Sequence, residues 1–248
     1  MPPGIVAGNW KMHGSREFVA QYATSLRSAL VVPNGVRVVL FPPLLLLEPL
    51  VEACAGLPVE FGVQTVHAER EGAFTGECSA AMAADAGALW TLVGHSERRR
   101  DQGEDDAAVA ARVLAALDAG LRPVVCVGES LEERRAGRAE EVVERQLHAV
   151  IDAAGAALCN AAVAYEPVWA IGTGETASPA QAQAMHAVIR ASLCAADDGL
   201  AALPLLYGGS VKADNAAALF GEADVDGGLV GGASLDARAF AQIVVACA

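Results

Sequence analysis

Apolar and polar residues follow one another along this chain in blocks. Short runs that are almost wholly apolar recur at residues 5–10, 36–41, 59–63, 89–93, 121–127, 161–165, 205–207 and 227–230. Runs of this length and purity predict β-strands buried on both faces, as in a parallel sheet covered by helices. Between them, apolar residues return at helical spacing among charged ones. Ser15 can cap a helix running to about residue 30, and an apolar helix is expected after Pro42-Pro43 from residue 44. A short helix near Ser79 stops at Gly87, and another spans 105–119 before Gly120. A longer helical region follows the fifth strand to about residue 154, with Gly155 beyond it. Ser178-Pro179 offers an N-cap with proline in the first turn, a short helix ends near Gly221, and the last begins near Asp236. Eight strand–helix units with no linker and no low-complexity segment predict an α/β fold, a (β/α)8 barrel in which residues 1–248 form one catalytic domain. A doubly wound open sheet is the rival, but no Gly-x-Gly-x-x-Gly follows the first strand.

Composition narrows what such a barrel does. The chain is 54% hydrophobic, ample for a core, yet its uncharged runs fall short of the roughly 20 residues that span a bilayer. The N-terminus has no basic region leading into an apolar one, so a soluble cytoplasmic protein is expected. A formal net charge of −13 argues against nucleic acid or an anionic membrane as partner. An anionic substrate would then need local donors. The six cysteines are scattered, without the close pairs that disulfide frameworks or zinc sites need, and read as free thiols with no metal implied.

The most informative stretch follows the sixth strand. Glu166-Pro167 sets a carboxylate in extended geometry by covalent constraint. Val168-Trp169-Ala170-Ile171 is apolar where a solvated loop would be polar, and Gly172-Thr173-Gly174 supplies conformational freedom. Together residues 167–174 describe a lid, with Glu166 beneath it as a candidate general base. In such barrels the active site lies at the C-terminal ends of the strands. Asn9 and Lys11 stand there at the end of strand one, two apart so that strand alternation points their side chains the same way, with His95 after strand four and Glu129 after strand five. Gly208-Gly209-Ser210 follows strand seven and Gly231-Gly232-Ala233-Ser234 follows strand eight. Each has a plainer reading taken singly: a solvated lysine, a structural histidine, ordinary tight turns. Their convergence on one end of the barrel favours chemistry, and the glycine turns after strands seven and eight stand where phosphate-binding loops occur.

Six motifs together carry a family resemblance. They are Asn9-Trp10-Lys11-Met12, Gly72-Ala73-Phe74-Thr75-Gly76-Glu77, Gly94-His95-Ser96-Glu97-Arg98-Arg99, the lid segment, Tyr207-Gly208-Gly209-Ser210 and Leu229-Val230-Gly231-Gly232-Ala233-Ser234. In this order they resemble the triosephosphate isomerases, over residues 5–245. The resemblance implies a single-domain TIM barrel that interconverts dihydroxyacetone phosphate and D-glyceraldehyde 3-phosphate in glycolysis and gluconeogenesis, without a cofactor. Glu166 is then the base, His95 the neutral electrophile, and Lys11 the fixed charge with Asn9 beside it. Gly172, Ser210, Gly231 and Gly232 are expected to hold the phosphate, and Ile171 and Leu229 to act as apolar clamps that keep water out. Glu97 is expected near Lys11, Glu129 near Trp169, and Cys126 as a packed thiol beneath the site.

The resemblance also implies a homodimer, with the Phe74-Thr75-Gly76 loop reaching into the partner. His13, Thr65, Asp101-Gln102 and Glu175 depart from the family pattern, at positions that bear on the interface and the lid. An isomerase of a four-carbon sugar phosphate and a catalytically silent scaffold are the alternatives, the latter disfavoured by Asn9, Lys11, His95 and Glu166 standing together.

Overall fold

A computed structural model describes residues 3–171 and 176–248; the expectations for Gly172, Thr173, Gly174 and Glu175 lie outside the described residues. Strand β1 (Gly4–Asn9) leads through α1 (Arg16–Ala29) to β2 (Val36–Phe41), and α2 (Leu47–Ala53) to β3 (Glu60–Val63). Then come α3 (Ala80–Asp85), β4 (Trp90–Val93), α4 (Ser96–Gln102), α5 (Asp106–Asp118) and β5 (Arg122–Val127). The second half runs α6 (Leu131–Arg135), α7 (Ala139–Ala154), β6 (Ala162–Tyr165), α8 (Pro179–Ala196), β7 (Leu205–Tyr207), α9 (Ala216–Phe220), β8 (Gly227–Val230) and α10 (Ala237–Val245). The strands pair in sequence order, all parallel, and β8 closes on β1, so the sheet is a barrel without edges. Among the described residues no helix is long and apolar enough to cross a membrane.

Local chemistry explains the boundaries. Ser15 accepts the Phe18 N–H, Asp105 the Ala108 N–H, and Asp236 the N–H groups of Arg238 and Ala239, each satisfying donors that a helix start leaves open. Ser178 and Gln181 form a reciprocal capping box with Pro179 inside it. Three expectations are amended. The region after β5 is two helices, because Gly137 takes a left-handed conformation (φ 72°) between them. Residues 96–102 form a separate helix, capped by His95 and ended by left-handed Gly103. After Pro43 the chain first makes a 3-10 turn, Leu44–Leu46, before α2.

Two cores result from the strand alternation. Ile5, Ala7, Val39, Phe41, Trp90, Leu92, Val124, Cys126, Ala162, Ala164, Leu206 and Leu229 pack together, while Val6, Val38, Val125 and Val163 belong to a larger cluster with residues of the surrounding helices. The two sets alternate along each strand, so the first fills the barrel interior and the second joins sheet to helices. The interior is graded in size. Gly62 is required on β3 because a Cβ there would overlap the Phe41 ring and lie 2.7 Å from the Trp90 carbonyl oxygen. The filled interior leaves polar positions only at the strand ends, and there the candidate site forms.

Candidate active site

The inward series continues past the strands. After Ile5 and Ala7 the next inward residue is Asn9, and after Ala162 and Ala164 it is Glu166. Both are buried at the C-terminal mouth. They line a cavity of about 570 Å3 together with Lys11, His95, Ala170, Ile171, Ser210, Leu229, Gly231 and Gly232. The structure thus brings these ten residues into one space, while Glu97, Cys126, Glu129, Val168 and Trp169 stand outside its lining.

Lys11 reaches it by a route that strand spacing did not anticipate. It lies beyond β1 with φ 50°, a left-handed conformation that costs a side chain with a Cβ. Two hydrogen bonds hold its main chain there: the Asn9 Oδ1 accepts the Lys11 N–H at 3.0 Å, and the Gln64 amide donates to the Lys11 carbonyl (2.8 Å) while also donating to that of Phe41 (3.0 Å). The Lys11 ammonium donates to Glu97 Oε1 at 2.5 Å. Two of these anchors, Asn9 and Glu97, were expected; Gln64 was not. Its signal in the sequence was a lone amide directly after an apolar strand.

His95 caps α4. Its Nδ1 accepts the Glu97 N–H at 3.3 Å, so the ring carries its proton on Nε2 when neutral. Glu97 Oε2 lies 3.8 Å from the same Nδ1, but that carboxylate is already engaged by Lys11 through its other oxygen. Nε2 faces Glu166 Oε1 at 3.0 Å, and Glu166 Oε2 accepts the Ser96 N–H at 2.8 Å. The buried carboxylate therefore has a partner at each oxygen, both from the same helix start. The Ser96 N–H is a second contact that the sequence did not reveal, since a backbone donor leaves no mark in residue type.

Glu129 is wholly buried and gathers the base of the lid. Its Oε1 accepts from Arg134 (2.9 Å), the Tyr165 hydroxyl (3.2 Å) and the Trp169 indole (2.9 Å), and the Arg134 guanidinium stacks 5.0 Å from the Trp169 ring. Burial pushes the Tyr165 phenol far up, with the Glu129 charge adding to it, so Tyr165 acts here as a donor. Val168–Ala170 forms a 3-10 turn, and the Val168 N–H reaches the Glu129 carbonyl. Cys126 is buried below. Its thiol is raised well above the usual range, by desolvation first and the Glu166 charge second, which fits the packed role expected of it.

On the opposite wall, Ser210 follows β7 and Gly231–Gly232 open a 3-10 turn after β8. A Cβ on Gly208 would lie 2.8 Å from Glu166 Cγ. This glycine thus leaves room for the carboxylate as well as turning the chain.

The triosephosphate isomerase family model matches residues 4–247. The chain is 52% identical over 246 residues to the triosephosphate isomerase of Xanthomonas axonopodis pv. citri (strain 306), covering 98% of each. It is 52% identical over 242 residues to that of Pseudomonas putida (strain GB-1), covering 96% of each.

Proposed function

Because the chain belongs to the triosephosphate isomerase family, it is an isomerase of glycolysis that interconverts dihydroxyacetone phosphate and D-glyceraldehyde 3-phosphate, and we propose that Glu166 carries the proton between the two carbons. The observation that supports this most is the meeting of a buried carboxylate, an imidazole Nε2 and an ammonium in one cavity opposite glycine turns. Glu166 leaves the Ser96 N–H, takes a proton from the carbon next to the carbonyl, and returns it to the neighbouring carbon. Between the two transfers the electron pair resides on oxygen as an enediolate. That charge is met by donors already in place, the His95 Nε2–H and the Lys11 ammonium, which is where preorganised electrostatics gain most. Ser210 and the N–H groups of Gly231 and Gly232 hold the phosphate, with Gly172 completing the grip. Ile171 and Leu229 keep water from the intermediate.

Glu166→Gln removes the base but keeps the shape. Turnover is expected to fall by at least about 100-fold, in the range general-base catalysis supplies. Binding of a phosphate-bearing substrate analogue should persist. Near-parental turnover would show that the base lies elsewhere.

The proposal includes a homodimer. Phe74 is 42% exposed on its loop, and Met12 (94%), Leu45 (87%) and Met82 (60%) are large apolar residues left in solvent. A second copy covering them through the Phe74-Thr75-Gly76 loop would remove that apolar area from water. A cytoplasmic location belongs to the same reading, and it follows from the glycolytic step.

A further inference from the structure

Helix α7 buries Val142, Val143, Gln146, Leu147, Val150 and Ile151, an apolar stripe at helical spacing interrupted by one amide. An amide at such a position destabilises the fold unless its hydrogen bonds are met. Gln146 meets both on a single residue across the barrel wall. Its Oε1 accepts the Gly128 N–H at 2.8 Å, and its Nε2 donates to the Gly128 carbonyl at 3.1 Å. The side chain thus grips the backbone of the residue just beyond β5 as a neighbouring strand would.

What Gly128 touches gives that grip a consequence. A Cβ added to Gly128 would meet the Glu166 carbonyl first and lie 2.7 Å from its carbon. The Glu166 N–H donates to the Val127 carbonyl at 2.7 Å, and the Val168 N–H to the Glu129 carbonyl at 3.2 Å. Residues 127–129 are therefore the surface on which the main chain of 166–168 rests. Beside it a cavity of about 300 Å3 is lined by Cys126, Gly128, Gln146, Glu166 and Val168, so the clamp and the carboxylate's residue share one wall. The clamp on Gly128 therefore reaches Glu166 through the backbone.

We propose that Gln146 is a positioning residue for the reaction, which fixes the main chain of Glu166 by clamping Gly128 from outside the barrel. The inference rests on Glu166 being the base. It requires that loosening the clamp lower turnover without weakening the hold on phosphate, because Ser210, Gly231 and Gly232 stand on other strands.

Two variants test it in the intact chain. Gln146→Leu keeps the stripe apolar and removes both bonds. Its kcat should fall at least about tenfold, since displacements of about 1 Å at a catalytic group cost up to 100-fold. KM and inhibition by inorganic phosphate should stay within about twofold, in protein shown to be folded by circular dichroism. Gln146→Glu carries the subtler readout. A buried carboxyl facing a carbonyl oxygen favours its protonated form, which accepts the Gly128 N–H and donates to its carbonyl as the amide does. Its activity relative to the parent should therefore be near one at the acid end and fall towards that of Gln146→Leu as pH rises. The ratio also remains informative if Gln146→Leu does not fold. Parental kcat in folded Gln146→Leu, parallel loss of phosphate binding, or a Gln146→Glu ratio independent of pH would each overturn the proposal. Glu166→Gln measured in the same series separates the two readings. If it stays active the base assignment fails. If it collapses while Gln146→Leu is parental, the positioning role alone fails.

Discussion

Gly128→Ala should cripple proton transfer through a single methyl group. The added Cβ would overlap the Glu166 carbonyl oxygen and lie 2.7 Å from its carbon and 3.2 Å from its Cα. Cβ atoms do not approach other heavy atoms more closely than 3.0 Å, so one of the two main chains must withdraw by about 1 Å. Gly128 is held on both backbone groups by Gln146. On the other side, Glu166 is held through its N–H to Val127, and Tyr165 through its carbonyl to the Gly208 N–H, both at 2.7 Å. Glu166 and Pro167 connect that pinned strand end to the lid, so the carbonyl of Glu166 is the freer of the two and should yield. A misplacement of about 1 Å at the base costs about 100-fold in turnover. Overpacking should cost about 1–3 kcal/mol of stability in addition. The assay pairs steady-state isomerisation in both directions with inhibition by inorganic phosphate and a urea unfolding curve. We expect kcat down about 100-fold, phosphate inhibition nearly unchanged, and a modest shift in midpoint. Parental turnover and parental stability together would refute the claim that these two main chains are in contact.

Two further outcomes are expected. His186 is fully buried between Tyr165 and Tyr207, its Nδ1 on the Asp224 carbonyl at 2.9 Å, and burial lowers its pKa from 6.5 to about 4. The unfolded chain therefore binds more protons than the folded one across that window. Stability from this residue is complete above pH 6.5 and is lost as pH falls to 4, about 3 kcal/mol in all; urea midpoints against pH should show this slope, and His186→Gln should lack it. Replacing Phe74 and Thr75 with charged residues should yield a monomer in sedimentation with activity reduced at least about tenfold, because assembly and site order are linked; a fully active monomer at matched concentration would uncouple them.

Much of the architecture is written in local chemistry. The purity of the apolar runs located β2, β7 and β8 to the residue, and Ser15 and Ser178 marked helix starts, because burial on two faces and unsatisfied N–H groups act within a few residues of sequence. Glycine was harder to weigh. Gly137 divides α6 from α7 only because its backbone turns left-handed, and the sequence alone does not distinguish that from a tolerated glycine. The end of the barrel where the cavity opens was also legible, since Asn9, His95 and Glu166 each stand at the end of an apolar run or just beyond it. The contacts between them were decided by closure of the barrel. Glu166 and Ser96 are 70 positions apart, Lys11 and Glu97 are 86 apart, and no local periodicity sets those distances. The same holds for Gln64 beneath Lys11 and Gln146 behind Gly128. Each is an amide whose residue type permits two bonds, while the identity of the backbone it grips depends on which strands lie side by side. Sequence fixes which groups need a partner; only the packed barrel decides which partner each one finds.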